Sequence, residues 1–181
     1  FKLKEIKGSV STLVRAKIGP HNGEKLKSDD KIFFNKSSSA DKTKKIQFGF
    51  DQDNTVRVMK GLQVDYFSKK SQEDFFSKEY KVTRLTDRMG MRLEGEKIEN
   101  IINKNIKSEG ITKGSIQIPG DGQPIVLLSD HPTIGGYPKI ANVISADYDK
   151  LVQKTPGTKI KFKLVNLAVA ENAFKEYVTK F

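Results

Sequence analysis

The 53 residues from Arg88 to Ile140 hold eight of the chain's 14 glycines and four of its six prolines, set among apolar runs of no more than four residues. Glycine and proline at that density break helices, so the segment cannot supply long ones. It suits short strands joined by tight turns. The polar residues between the turns (Arg88, Glu94, Glu109, Gln117, Asp121, Gln123, Asp130, Thr133 and Tyr137) are then carried at strand ends and in loops, where functional groups concentrate.

The rest of the chain follows the same rhythm. Gly8 to Ile18 is rich in β-branched residues and reads as a strand, followed by a turn at Gly19 to Gly23; Lys31 to Phe34 reads as another short strand. Asn35 to Lys45 (NKSSSADKTKK) has almost no apolar content and reads as an exposed polar loop. Ile46 to Phe50, Thr55 to Met59 and Tyr80 to Leu85 are strand-like, and Ile98 to Ile106 fits either helix or strand. Gly114 to Ile118 and Pro124 to Leu128 are strands by composition, the second apolar on both faces and therefore central.

Three segments carry helix signals. Ser71 precedes QEDFFSKEY as an N-cap, and Ser145 caps a helix to about Lys154 with Leu151 and Val152 inward. Asn166 caps a terminal helix bearing Ala170, Phe174 and Tyr177, after a Thr155–Thr158 turn and the strict alternation of Ile160, Phe162 and Leu164. Eight to ten short strands with two or three short helices predict a mainly β fold, a closed or nearly closed barrel.

Charge and residue counts narrow the chemistry. The net charge of +11 comes from 28 lysines and only five arginines, scattered along the chain. Planar, bidentate recognition of phosphates and bases favours arginine, so a lysine-biased soluble surface is expected and not a nucleic-acid footprint. No segment has the apolar length of a membrane span. Zero cysteines exclude disulfides and thiolate catalysis, and two distant histidines argue against a transition-metal site; cytoplasm is the expected compartment. No GxSxG elbow or phosphate-binding loop is present. Val58-Met59-Lys60-Gly61 lacks the second methionine of a biotin carrier's VMKM hairpin, so Lys60 reads as an ordinary strand-end lysine. His21 reads as solvent-exposed and His131 as either a site-rim or a loop residue. Gly135-Gly136-Tyr137-Pro138 fits two readings: a nest of N–H donors for an anion or oxyanion, or a tight turn with Tyr137 packed on a barrel.

At DRMGMRLEG (Asp87 to Gly95), SEGITKGSIQIPGDGQPIVLLSD (Ser108 to Asp130) and PTIGGYPKIANVISAD (Pro132 to Asp147) the chain resembles the biotin-dependent carboxyltransferase family, also called allophanate hydrolase subunit 2 or KipA-like. GSVSTLVRAKIG (Gly8 to Gly19) and VRVMKG (Val56 to Gly61) agree, and the similarity runs from about Gly8 to Val165. The resemblance implies a cyclophilin-like β-barrel from residue 56 to 181, preceded at 1 to 55 by the end of the family's N-terminal region, most of which is absent.

It also implies work with a KipI-like subunit and a LamB/YcsF-like subunit. The activity would be the ATP-dependent opening of 5-oxoproline to glutamate, or carboxyl transfer from carboxybiotin. ATP or carboxybiotin would be used by the assembled complex, with no covalently bound cofactor and no metal on this chain. Arg88, Asp130 and Tyr137 would be catalytic. Glu109, Gln117, Asp121, Gln123, Thr133, Gly135 and Gly136 would bind a small amide or lactam substrate. The alternative is a non-catalytic, truncated KipA-like protein that binds a KipI-like regulator.

Overall fold

The computed structural model describes residues 1–34, 53–102 and 105–179. The chain forms two compact units, Phe1–Gly49 and Phe50–Phe181. The polar loop expected at 35–45 and the strand expected at 46–50 lie outside the described residues.

Neither of the two strands expected among the described residues of the first unit forms. Gly8 to Ile18 makes only isolated bridges, Ile6 with Ser9 and Leu13 with Ile18, around a 3-10 turn at Val14–Ala16. Its β-branched residues pair with no strand among the described residues, and local turns take their place. Lys31 to Phe34 is likewise irregular. Gly23 shows how tightly the turns close: its φ is +69°, and a Cβ there would lie 2.1 Å from the Lys17 carbonyl carbon. His21 is not simply solvated, because its Nε2 pairs with Asp30 Oδ2 at 2.9 Å.

The second unit is a closed barrel. Its seven strands are β1 (Thr55–Lys60), β2 (Glu79–Thr86), β3 (Gly90–Glu94), β5 (Ser115–Gln117), β6 (Ile125–Leu127), β8 (Lys139–Val143) and β9 (Lys159–Leu164). They are ordered β1-β8-β5-β6-β3-β2-β9 around the wall. Six of the seven pairs are antiparallel, and β9 closes on β1 in parallel, with Val56 opposite Phe162 and Val58 opposite Leu164. An odd number of strands cannot alternate direction all the way round, so one parallel pair is obligatory. A separate two-stranded ribbon pairs β4 (Glu109–Gly110) with β7 (Ile134–Gly135).

Alternation fills the barrel. Val56 and Val58, Tyr80 and Val82, Met91 and Leu93, Ile160 and Phe162 all point inward and are buried, while the residues between them are more exposed. The predicted central strand is central: β6 lies between β5 and β3. Ile98 to Ile106, left open between helix and strand, is neither where it is described; Ile98 is buried among the core residues.

Three helices join the barrel. Helix α1 (Lys69–Ser77) is capped by Ser68, not Ser71: Ser68 has the extended backbone a cap needs, and its Oγ accepts from Ser71 N–H at 3.1 Å. The earlier start turns Phe75 inward, where it stacks on Phe162 at 4.9 Å. Helix α2 (Ser145–Val152) begins at Ser145 itself, without a side-chain cap. Its start is held by Asp147, 2 % exposed, which accepts from the Arg57 backbone N–H at 2.7 Å and its guanidinium at 2.6 to 3.2 Å. Leu151 is fully buried as expected, but Val152 faces outward. Helix α3 (Leu167–Val178) has the predicted Asn166 cap, bonded to Val169 N–H at 3.0 Å. Its inward residues are Ala170 and Ala173; Phe174 lies on the exposed side and stacks with Tyr177.

Two stability tests follow from this core. Removing the Asp147 carboxylate (Asp147→Ala) removes the bonds that Arg57 makes to it and the anchor of α2, and should cost about 3 kcal/mol in urea denaturation. Tyr80 is fully buried, and its hydroxyl has no hydrogen-bond partner among the described residues; burial, with Asp74 and Glu96 adding, pushes the phenol well above its ordinary pKa. Tyr80→Phe should therefore raise stability by about 1 kcal/mol, where loss of a satisfied hydroxyl would lower it.

Candidate functional site

Strand direction assigns the polar residues to the two ends of the barrel. Strands β1, β3, β5 and β9 finish at the end where β2, β6 and β8 begin. Gln117 closes β5, Lys139 opens β8, Gly61 follows β1, and Asp121 and Gln123 precede β6 at this first end. Arg88 precedes β3 and Asp130 follows β6, so they occupy the opposite end. Of the residues expected to act together, Arg88 and Asp130 are brought together there, whereas Tyr137 lies two residues before β8, which begins at the first end.

At the first end a polar layer lies on the outer face of the barrel wall. Gln117 and Lys139 are directly opposite across the β5–β8 pair, and Ile116 turns inward beside them. The Lys139 side chain is only 6 % exposed, and its Nζ pairs with Glu109 of β4. Gln63 completes the grip, donating from Nε2 to Glu109 Oε1 at 2.9 Å and accepting from the Lys139 backbone N–H at 3.2 Å. The Lys139 bond, then that of Gln63, holds the Glu109 carboxyl below its ordinary pKa. Gly61 allows this approach, since a Cβ there would sit 2.3 Å from the Lys139 carbonyl oxygen.

Gln117 is buried, and its Nε2 has no hydrogen-bond partner among the described residues. Gly135, opposite Glu109 in the ribbon, leaves room for it: a Cβ on Gly135 would lie 2.7 Å from that nitrogen. Neither reading of the glycine pair is met, since Tyr137 is exposed at a bend and not packed in a tight turn. Gly135 is in a strand and neither glycine has a positive φ, so no N–H nest forms there. Their smallness serves packing. Thr133 supports the ribbon through its carbonyl, which accepts from Ile111 N–H at 3.2 Å, and Tyr137 is partly exposed on the path to β8.

Beside this layer is a cavity of about 670 Å³ lined by residues that include Ile98, Asn100, Ile118, Asp121, Gly122 and Pro138. Ile118 and Pro138 are the chain neighbours of Gln117 and Lys139, and are joined by a backbone bond of 3.0 Å. Asp121 pairs with Arg92 on the cavity rim. Gln123 bonds both backbone groups of Gly95, at 2.9 and 3.1 Å, and thereby fixes the loop after β3.

At the opposite end Arg88 holds Asp130 through two bonds of 2.7 and 2.9 Å, reinforced by Asp130 N–H to the Arg88 carbonyl at 2.8 Å. Arg88 is 75 % exposed, and the pair staples the β2–β3 turn to the end of β6. His131 turns its Nδ1 to the Pro132 carbonyl at 2.6 Å. Sequence reasoning missed Lys139 and Gln63. Lys139 reads from the sequence as one of 28 lysines, and only its burial beside Glu109 sets it apart. Gln63 carried no signal either.

The closed seven-stranded barrel thus gathers a buried lysine, a carboxylate and two amides at its first end, beside a cavity. The chain belongs to the carboxyltransferase domain family, subdomains A and B, which matches residues 1–164. It is 35 % identical over 173 residues to the 5-oxoprolinase C subunit of Haemophilus influenzae and 34 % over 172 residues to that of Escherichia coli, covering 94 % and 93 % of this chain. It spans about half of those relatives, 55 % and 54 %. The solved urea carboxylase of Kluyveromyces lactis superposes with a TM-score of 0.81 at 26 % identity, over 98 % of this chain and 18 % of that one. No helix among the described residues is long and apolar enough to cross a membrane.

The Arg88 hydrogen bonds hold the Asp130 carboxyl below the ordinary aspartate value of 3.8. A depressed carboxyl contributes stability above its unfolded pKa and loses it as pH falls through the folded one. Asp130→Asn should therefore lower the melting temperature slightly at pH 7. Melting curves of both proteins should converge as pH drops below about 3.8; a gap that stays constant with pH would show that the ion pair is not its source.

Proposed function

We propose that this chain is part of a subunit of an ATP-dependent 5-oxoprolinase, opening 5-oxoproline to glutamate, or of a related biotin-dependent carboxyltransferase, and that it acts with a KipI-like partner and a LamB/YcsF-like subunit. The observation that carries the choice of 5-oxoproline is the identity of 34 to 35 % with two 5-oxoprolinase C subunits, against 26 to 29 % with the urea amidolyases of Saccharomyces cerevisiae and Lachancea kluyveri. The barrel's first end supports it chemically. Two amides and an ammonium suit the carbonyl and carboxylate oxygens that a lactam, glutamate and a carboxylated ureido ring share.

In this reading Gln117 and Glu109 orient the amide at the first end, Gly135 and Gly136 keep the approach narrow, and Asp121 and Thr133 border it. Gln123 shapes the loop through its bonds to Gly95. ATP or carboxybiotin reacts in the assembled complex. Nothing in the sequence of this chain cradles a phosphate, so the nucleotide belongs to partner subunits. The protein is a cytoplasmic one.

Co-expression of this subunit with its KipI-like and LamB/YcsF-like partners tests the proposal. The expected result is a co-purifying complex that forms glutamate from 5-oxoproline only when ATP is supplied. A stable complex that neither opens 5-oxoproline nor carboxylates urea with carboxybiotin would leave a non-catalytic binding subunit in its place.

A further inference from the structure

We propose that Lys139 and Gln117 form the acyl-oxygen pocket of the site, the pair of donors that receives the lactam carbonyl oxygen of the substrate; this rests on the 5-oxoprolinase reading above. Four observations carry it. First, the two residues are cross-strand partners where the β5–β8 register shifts, and both side chains reach the β4–β7 ribbon, Lys139 at Glu109 and Gln117 at Gly135. Second, donors outnumber acceptors there. Gln117 Nε2 is buried with no partner among the described residues, and the buried Lys139 ammonium has three N–H groups with one carboxylate, Glu109, to receive them. A buried unsatisfied donor lowers stability, so its retention points to a task performed with an acceptor.

Third, the backbone is cleared around these donors. Gly135 stands where a Cβ would come within 2.7 Å of the Gln117 amide nitrogen. Fourth, the cavity of about 670 Å³ adjoins them through Ile118 and Pro138, and its size is that of a small-molecule site. Glu109 and Gly135 of the β4–β7 ribbon, two residue pairs long, lie against the pair. An amphipathic wall with apolar Ile111 against Gly135 suits the ring methylenes of a lactam, while the donors face its oxygen.

Glu109 has a different part in this pocket. Its side chain is 39 % exposed, and it holds Lys139 and Gln63 in place. It is a positioning residue: it keeps the ammonium aimed at the wall without occupying Gln117. Charge that gathers on the carbonyl oxygen as the amide is attacked would be met by the Lys139 ammonium and the Gln117 N–H, both already in position.

The test uses the intact subunit, alone and with its partners. In the complex, Lys139→Met and Gln117→Leu should each lower kcat for 5-oxoproline at least about 100-fold and about 10-fold respectively, with a smaller change in KM. Gln117→Leu removes a donor that has no protein partner, so its melting temperature should hold or rise, and lost activity cannot be ascribed to unfolding. In the isolated subunit, the side-chain amide resonance of Gln117 should shift on titration with 5-oxoproline and with 2-pyrrolidinone, which keeps the lactam oxygen and lacks the carboxylate. No shift with either lactam, or wild-type kcat in both folded variants, would overturn the inference. Shifts without turnover by the wild-type complex would retain the pocket and remove the 5-oxoprolinase reading instead.

Discussion

Everything in the larger unit depends on the parallel contact between β1 and β9. Seven strands force one such pair, and here it joins the first strand of the barrel to the last. No subset of the strands can close the wall: until Ile160 and Phe162 reach Val56 and Val58, β1 and β9 each present an unpaired edge. The aromatic cluster of Phe75, Tyr80 and Phe162 sits at this seam. Arg57 on β1 extends the seam outward by binding Asp147, so the helix that follows β8 is tied to the strand that opens the barrel.

Closure also decides which polar groups can meet. In an alternating wall each end collects the finishing residues of one set of strands and the opening residues of the other. Gln117 and Lys139 are 22 positions apart in the chain and become neighbours because β5 ends where β8 begins. Arg88 and Asp130 are brought together by the same rule at the other end, through β3 and β6. The two clusters differ in what surrounds them. The ion pair of Arg88 is in solvent and is screened there, whereas that of Lys139 lies beneath the ribbon, where a charge acts more strongly on whatever enters.

Much of the barrel was legible because its strands announce themselves by alternation. Val56 and Val58, or Ile160 and Phe162, are separated by single polar residues, and a period of two admits one interpretation. Gly8 to Ile18 carried the same residue types without the pattern, and its turns show that β-branched composition alone does not make a strand. The cap at Ser71 was misplaced because Ser68 competes with it, and Phe75 reaching Phe162 favours the earlier start; at the second helix Ile144 precedes Ser145, and Asp147 reaching Arg57 holds the start without a side-chain cap. In the site, Glu109, Gln117 and Gly135 were legible as polar or small residues in a turn-rich stretch. Lys139 and Gln63 were not, because their importance is set by burial and by a partner 30 or 46 positions away. The split between the ends of the barrel was equally hidden, since it follows from strand direction and not from sequence distance.

The parallel seam has a topological corollary. Strands that run side by side in the same direction start at one end of the barrel and finish at the other. The wall is therefore entered at Thr55 at one end and left at Leu164 at the other. Helix α3 then turns back along the outside, setting Ala170 and Ala173 against Ile144, the residue that follows β8 at the end where β1 begins. The last helix thus returns the chain toward the end at which the barrel opened.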